Sequence, residues 1–242
     1  MQTQRFSFRP AILWLRAEKF RRRYQKARPF PHLVLDGFPL PQTLNQILSE
    51  FPKQQEIPWI HYQDRTQLKL QSYREKDLGP HARRLISDLQ SVPFLTFLEI
   101  LSGIKGLIPD PYLLGGGLHQ IERGGFVKIH SDFNKHRHLR LFRRINLILY
   151  LNKKWKKSYG GNLELWDARM RKCVKSIAPI FNRCVIFNTT KFSFHGHPDP
   201  LNCPSHITRK SIALYYYSVE KPLSESGHFR RTLWQKRSGE KD

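Results

Sequence analysis

From Leu113 onward the hydrophobic period of this sequence is two. Short stretches of alternating apolar and polar residues recur around 113–121, 126–132, 144–151, 162–167, 173–178, 183–187 and 210–218, each separated by glycines or polar turns. Alternation of this kind marks half-buried strands, and a regular series of short strands fits a β-sandwich or barrel. Upstream the period is helical. Leu44, Ile47, Leu48 and Phe51 share one face, and Leu78 to Gly103 reads as two further helical pieces around Pro93. Residues 29–36 (PFPHLVLD) read as an opening strand ended by Gly37 and Pro39, whereas polar residues 56–76 read as loop or edge strand. The expected fold is mainly β with flanking helices: a jelly roll buttressed by N-terminal helices. Its segments are a basic helical stretch (1–28), a support region (29–111), the β core (112–218) and a mobile or late-docking tail (219–242).

The chain carries 42 Lys and Arg against 19 Asp and Glu, a net charge of +23. Such a surface attracts polyanions such as RNA, anionic lipid or an acidic substrate, or else serves solubility. Residues 1–28 hold nine of these cations and one acid, Glu18, with Ile12, Leu15, Phe20 and Tyr24 at roughly helical spacing. That pattern predicts a basic amphipathic helix, packing its apolar stripe on the domain or else serving as a membrane or RNA arm. A hydrophobic content of 39% with 12% aromatic residues excludes a disordered chain. Cys173, Cys184 and Cys203 are too few, and odd in number, for a disulfide framework. Two lie in apolar runs, as expected of buried free thiols in a reducing compartment. No stretch approaches the ~20 apolar residues of a membrane span, and Ala11 to Leu15 is too short for a signal-peptide core. The expectation is a cytoplasmic protein of unspecified oligomeric state.

The chemistry centres on residues 124–132 (GGFVKIHSD), a turn followed by a strand that ends in His130-x-Asp132. Residues i and i+2 of a strand face the same way, so an imidazole nitrogen and a carboxylate oxygen project to one spot. A third ligand downstream completes a two-His-one-carboxylate facial triad, the arrangement of non-haem Fe(II) sites with open positions. Residues 192–198 (FSFHGHP) supply two candidates, His195 and His197. Pro198 favours a turn at His197, so His195 is preferred, and Gly196 permits a close backbone approach. His136, His138 and His206 read as solvated loop histidines. An Fe(II) site of this type needs an organic electron source, and a 2-oxoacid that chelates metal leaves a far carboxylate to be held. Arg209 opens the strand at 209–217 with the fork a carboxylate wants, and Ser211 at i+2 can add a hydroxyl.

The ordered set His130-x-Asp132, Tyr150-Leu151-Asn152-Lys153-Lys154-Trp155, Gly160-Gly161-Asn162-Leu163-Glu164-Leu165-Trp166, His195 and Thr208-Arg209 resembles the Fe(II)/2-oxoglutarate-dependent dioxygenases, more narrowly their prolyl 4-hydroxylase branch. The resemblance covers roughly residues 112–218, and the opening strand is also similar to that of bacterial members. It implies a double-stranded β-helix of the jelly-roll, cupin-like kind, with iron bound by His130, Asp132 and His195. It further implies that Arg209 pairs with the distal carboxylate of 2-oxoglutarate, that the Tyr150 hydroxyl reaches the same carboxylate, and that Gln120 supplies another polar cosubstrate contact. Fe(II), 2-oxoglutarate and O2 are the implied cofactor and cosubstrates, with ascorbate as a reductant. The outcome is hydroxylation of a C–H bond coupled to formation of succinate and CO2. Halogenating relatives replace the carboxylate ligand by a small residue, so the presence of Asp132 argues for hydroxylation. One departure is the long segment between His195 and Arg209, which bears on access to the site.

Residues 134–157 contain nine Lys and Arg and no acid. They predict either an electropositive funnel for an acidic or RNA-associated substrate, or a solvated hairpin decorated by Lys153, Lys154, Lys156 and Lys157. The leading expectation is a hydroxylase of a prolyl or other peptide side chain. The alternatives are the same chemistry on a small metabolite, such as a free amino acid or a sugar, and a non-catalytic basic jelly-roll module that binds RNA, for which Phe142 and Trp155 provide interleaved aromatics.

Overall fold

A computed structural model describes residues 6–239. Four helices precede the main β region: α1 (Pro10–Gln25), α2 (Pro41–Ser49), α3 (Pro80–Gln90) and α4 (Val92–Ser102). Each has a proline in its first turn, where the missing N–H would have had no intrahelical partner. The strands are β1 (His32–Asp36), β2 (Ile60–Gln63), β3 (Gln67–Ser72), β4 (Ile108–Pro109), β5 (Gly117–Ile121), β6 (Phe126–Ser131), β7 (Phe142–Tyr150), β8 (Leu163–Trp166), β9 (Cys173–Ile177), β10 (Arg183–Asn188), β11 (His195–His197), β12 (Arg209–Ser218) and β13 (Leu233–Trp234).

The main strand order is β1-β10-β7-β12-β5-β3-β6-β11-β8-β9, antiparallel at every pairing. β3 is the fold line: with β2 along one edge, it bonds along the other to β6 through its start, Gln67 and Leu68, and to β5 through its end, Leu70 to Ser72. It joins a larger sheet (β1-β10-β7-β12-β5) to a smaller one (β6-β11-β8-β9). The two close face to face as a jelly roll. Tyr150, Val185 and Phe187 of the larger sheet pack with Leu163, Leu165 and Ile177 of the smaller.

Alternation along the larger sheet sorts its side chains into two environments. Ile145, Leu147 and Leu149 of β7, Ile212, Leu214 and Tyr216 of β12, and Cys184 and Ile186 of β10 face outward into one apolar cluster with Phe94, Phe97, Leu98 and Leu101 of α4. Each such side chain contributes roughly 1.5–3 kcal/mol through burial. The alternate residues Asn146 and Ile148, and Arg209, Ser211, Ala213 and Tyr215, face into the roll and line its cavity. The helices therefore brace the back of the sheet whose front builds the site.

Several expectations need correction. The buried stripe of α1 is Leu13, Ala17 and Tyr24 with Phe20 partly buried, whereas Ile12 and Leu15 are exposed. The i, i+4, i+7, i+11 spacing of Leu13, Ala17, Phe20 and Tyr24 follows the helix period more closely than the expected set. Residues 56–76, expected as loop or edge strand, hold an edge strand, β2, that pairs with β3, and also β3 itself, which is bonded on both edges. The tail is not loose over its described part: β13 pairs with β6, setting Leu233 opposite Ser131 and Trp234 opposite His130. His136 is buried and bonded to Asp110 Oδ1 at 3.0 Å. Among the described residues no single helix is long and apolar enough to cross a membrane. The three cysteines are free, with Cys184 and Cys203 buried.

Candidate active site

His130 lies on β6 and Asp132 just beyond that strand's end, while β11 runs antiparallel with His195 opposite His130. Metal-competent atoms of these three residues all lie within 4.8 Å of one another. Asp132 Oδ1 is 3.6 Å from His130 Nε2, and Asp132 Oδ2 is 3.5 Å from His195 Nε2. Each imidazole is oriented by its other nitrogen: Nδ1 of His130 meets the Lys128 carbonyl at 2.8 Å, and Nδ1 of His195 meets the Ser193 carbonyl at 2.9 Å. A carbonyl only accepts, so Nδ1 carries the proton and Nε2 keeps its lone pair for the shared point. Two imidazole lone pairs and a carboxylate fit a divalent first-row metal such as Fe(II).

Asp132 is held from behind. Asn146 Nδ2 donates to its Oδ2 at 2.7 Å, and Arg143 Nη2 approaches the same oxygen at 3.2 Å. Arg143 is buried, its guanidinium 3.4 Å from the Tyr215 ring centroid and 4.6 Å from that of Phe133. Burial alone would push the Asp132 carboxyl up, but Arg143, then His195 and His130, overturn this and hold it well below the usual carboxylate range. Burial, reinforced by His130, lowers His195 to about 4, so its imidazole is neutral at physiological pH.

Deeper in the roll, Arg209 is 4% exposed. Its Nε donates to the Gly161 carbonyl at 2.9 Å and its Nη2 to the Tyr150 hydroxyl at 3.1 Å. Gly161, at φ +72°, explains the paired glycines before β8: a Cβ there would lie 2.5 Å from Leu201 Cδ2 and 3.1 Å from Arg209 Cδ. Ser211 lines the same cavity two residues along β12, and the fully buried Tyr150 supports Arg209 from below. Gln120 is not brought to the cavity. It alternates with His119 and Ile121, which line it, so its side chain belongs to the other face of β5. His119 stands in its stead, cross-strand from Gln71 on β3 and Ser211 on β12.

The cavity is about 650 Å3. Besides the expected residues it receives Lys69, His119, Arg143, Asn146, His197 and Trp234. The Trp234 ring lies 4.7 Å from that of His130. Lys69 Nζ sits 4.9 Å from the Tyr62 ring centroid, and burial, reinforced by Arg143 and opposed by Asp132, lowers it to about 8. Of the basic stretch at 134–157, Arg137 and Arg143 reach the cavity, whereas Lys153, Lys154, Lys156 and Lys157 are exposed away from it. Strand alternation does not signal Arg143 and Asn146 as neighbours, because they stand three apart on β7 on either side of a bulge at Arg144 that the sequence does not mark.

Residues 116–217 match the family model of the 2OG-Fe(II) oxygenase superfamily, a span that contains the triad, Tyr150 and Arg209. The match lies over the β region that carries the candidate site and stops short of the N-terminal helices. The chain is 26% identical over 200 residues to a mouse protein named prolyl 3-hydroxylase OGFOD1 and 28% identical over 200 residues to its Xenopus laevis counterpart. The alignments cover 80% of the chain but only 34% and 36% of those relatives, so the chain spans about a third of their length. Its fold is that of solved prolyl hydroxylases. The Pseudomonas putida prolyl-4-hydroxylase superposes with a TM-score of 0.58 at 13% identity, over 85% of this chain and 98% of that one. A Trichoplax adhaerens prolyl hydroxylase, solved with a hypoxia-inducible-factor peptide fragment, gives 0.61 at 17% identity, over 84% and 91%.

Proposed function

We propose that this protein is an Fe(II)- and 2-oxoglutarate-dependent oxygenase that hydroxylates a prolyl residue in a peptide or protein. The observation that carries the reading is the meeting of the His130, Asp132 and His195 donors with the buried Arg209 in one cavity. In it, His130 Nε2, His195 Nε2 and the Asp132 carboxylate hold Fe(II). Arg209, backed by the Tyr150 hydroxyl and flanked by Ser211, holds the far carboxylate of 2-oxoglutarate. With O2, the bound metal and cosubstrate supply the oxidising power that turns a C–H bond into C–OH as 2-oxoglutarate becomes succinate and CO2.

The protein's own part is orientation and charge. Nδ1 hydrogen bonds fix both imidazoles, Arg143 and Asn146 fix the carboxylate, and apolar Ile148, Leu163 and Ala213 exclude water from the floor. A prolyl substrate is favoured by the names of the curated relatives and by the peptide-bound fold neighbour. An acidic sequence around that proline is favoured by the cavity lining. It contains Lys69, Arg137 and Arg231, none with an ion-pair partner among the described residues, and its one acid, Asp132, is committed to Arg143. Ascorbate as auxiliary reductant and a cytoplasmic setting belong to this reading on sequence grounds alone. The family match and the converged donors weigh against the non-catalytic RNA-binding module.

The decisive experiment is 2-oxoglutarate turnover to succinate by Fe(II)-loaded protein exposed to O2, beside Asp132→Ala and Arg209→Ala. Wild-type succinate above both variants is expected. Prolyl peptides with acidic or basic flanks are then compared for stimulation of turnover and gain of one oxygen, and NMR of the product distinguishes C3 from C4. Absence of Fe(II) and 2-oxoglutarate binding would sink the reading.

A further inference from the structure

His197 ends β11 and lines the cavity that Arg209 also lines, with 4% of its surface exposed. Neither ring nitrogen has a hydrogen-bond partner among the described residues. Native proteins rarely retain such a group, since a buried polar atom without a partner costs roughly 1–3 kcal/mol. Its placement is built into the backbone. A Cβ on Gly196 would lie 2.7 Å from the carbonyl oxygens of both Val127 and Lys128, so only glycine lets β11 draw this close to β6. The register of the pair shifts between His195, opposite His130, and His197, opposite Val127. One histidine is thereby aimed at the metal point and the other deeper into the roll.

The charged and titratable groups facing His197 are Arg209 from β12, Lys69 from β3 and His130 from β6. No carboxylate is among them. An imidazole N–H in these surroundings wants an acceptor, and the neighbouring guanidinium and ammonium want a negative charge; an anionic oxygen answers both. Arg209 has already committed Nε to Gly161 and shares Nη2 with Tyr150. β11 belongs to the smaller sheet and β12 to the larger, so His197 approaches from the wall opposite Arg209.

We propose that His197 is a specificity-determining residue for the cosubstrate, donating a ring N–H to the far carboxylate of the 2-oxoacid so that both sheets grip it. The inference rests on the assignment of Arg209 to that carboxylate. It assigns a role to the second histidine of the His195-Gly196-His197 run, which the metal does not need.

The test titrates anaerobic, Fe(II)-loaded protein with 2-oxoglutarate and with 2-oxopentanoate, which has the same carbon chain without the far carboxylate. Binding is read from the visible absorption that appears when a 2-oxoacid chelates the metal. His197→Phe keeps a ring of similar shape and removes the donor. It is expected to weaken 2-oxoglutarate about tenfold or more, the worth of a hydrogen bond to a charged group, while leaving 2-oxopentanoate unchanged. His197→Gln, which retains an N–H donor, is expected to recover part of the preference, and it serves as the reporter should the Phe variant fail to fold. Equal weakening of both ligands in the variants, or no change in either, overturns the proposal while leaving the Arg209 assignment standing. If wild type binds the two ligands equally, the assignment of Arg209 fails and His197 falls with it.

Discussion

The guanidinium of Arg143 bridges the metal-ligand carboxylate and an aromatic ring: Nη2 lies 3.2 Å from Asp132 Oδ2 while the group's centre lies 3.4 Å from the Tyr215 centroid. The ring fixes the plane of the fork, and with Asn146 bonded to the same oxygen the carboxylate has little freedom left to turn. Arg143→Met is therefore expected to lower Fe(II) or Co(II) affinity by about 10–100-fold, the usual effect of losing a partner of a metal ligand. Arg143→Lys should restore charge without the stacked plane and recover only part of it. Calorimetric titration of the metal checks both.

Trp234 supplies an optical reporter of the same point, its ring 4.7 Å from that of His130. Binding of a paramagnetic metal such as Co(II) should quench tryptophan fluorescence, and Trp234→Phe should remove most of the quench with the far-ultraviolet circular dichroism unchanged. Retention of the full quench would mean that the tail does not lie on the metal strand in solution.

Gly161→Ala disturbs Arg209 without altering it. The new methyl lies within 3.1 Å of Arg209 Cδ and 2.5 Å of Leu201 Cδ2, on a backbone at φ +72° that favours glycine. The expected result is a 2-oxoglutarate requirement raised about tenfold, as when one good hydrogen bond is misplaced, with metal affinity unchanged. Single-turnover decarboxylation at graded cosubstrate separates the two.

His119 sets an acid limit on stability. Burial, then Lys69, lowers it from the ordinary 6.5 to about 3 in the folded chain. Below pH 6.5 the unfolded chain takes up a proton that the folded one refuses, so this contribution is fully present above 6.5 and is lost progressively as pH falls toward 3. Urea midpoints measured between pH 7 and pH 4 should fall, and His119→Gln should fall less steeply. Equal slopes would show that His119 does not remain neutral in the fold.

The sequence made the triad and the roll legible because both rest on short-range rules. His130 and Asp132 are two residues apart on a strand, and the outward Leu and Ile of β7 and β12 alternate against the helices. What the pattern concealed lies where the inner face is polar. β3 carries Gln67, Lys69 and Gln71 inward, so a strand that joins the two sheets reads like a solvated loop. The Gln120 assignment failed by one residue, which on a strand is the difference between faces. The docking of the tail was hidden for a different reason: it depends on long-range partners, namely Asn134 Nδ2 with Glu225 Oε2 at 3.1 Å, the Arg230 amide with Asn134 Oδ1 at 2.7 Å, and β13 on β6, none of which leaves a local period.

The pairing of β13 with β6 also has a practical side. The chain that follows Trp234 leaves β13 beside the cavity that Phe229, Arg231 and Thr232 help to line, so a group inserted just after that strand emerges next to the site. A purification handle or a reporter there would crowd the substrate's approach and pull on the strand that carries His130. Labelling is better placed on the exposed face of α1, where Arg21, Arg22 and Arg23 point to solvent and none of them lines the cavity.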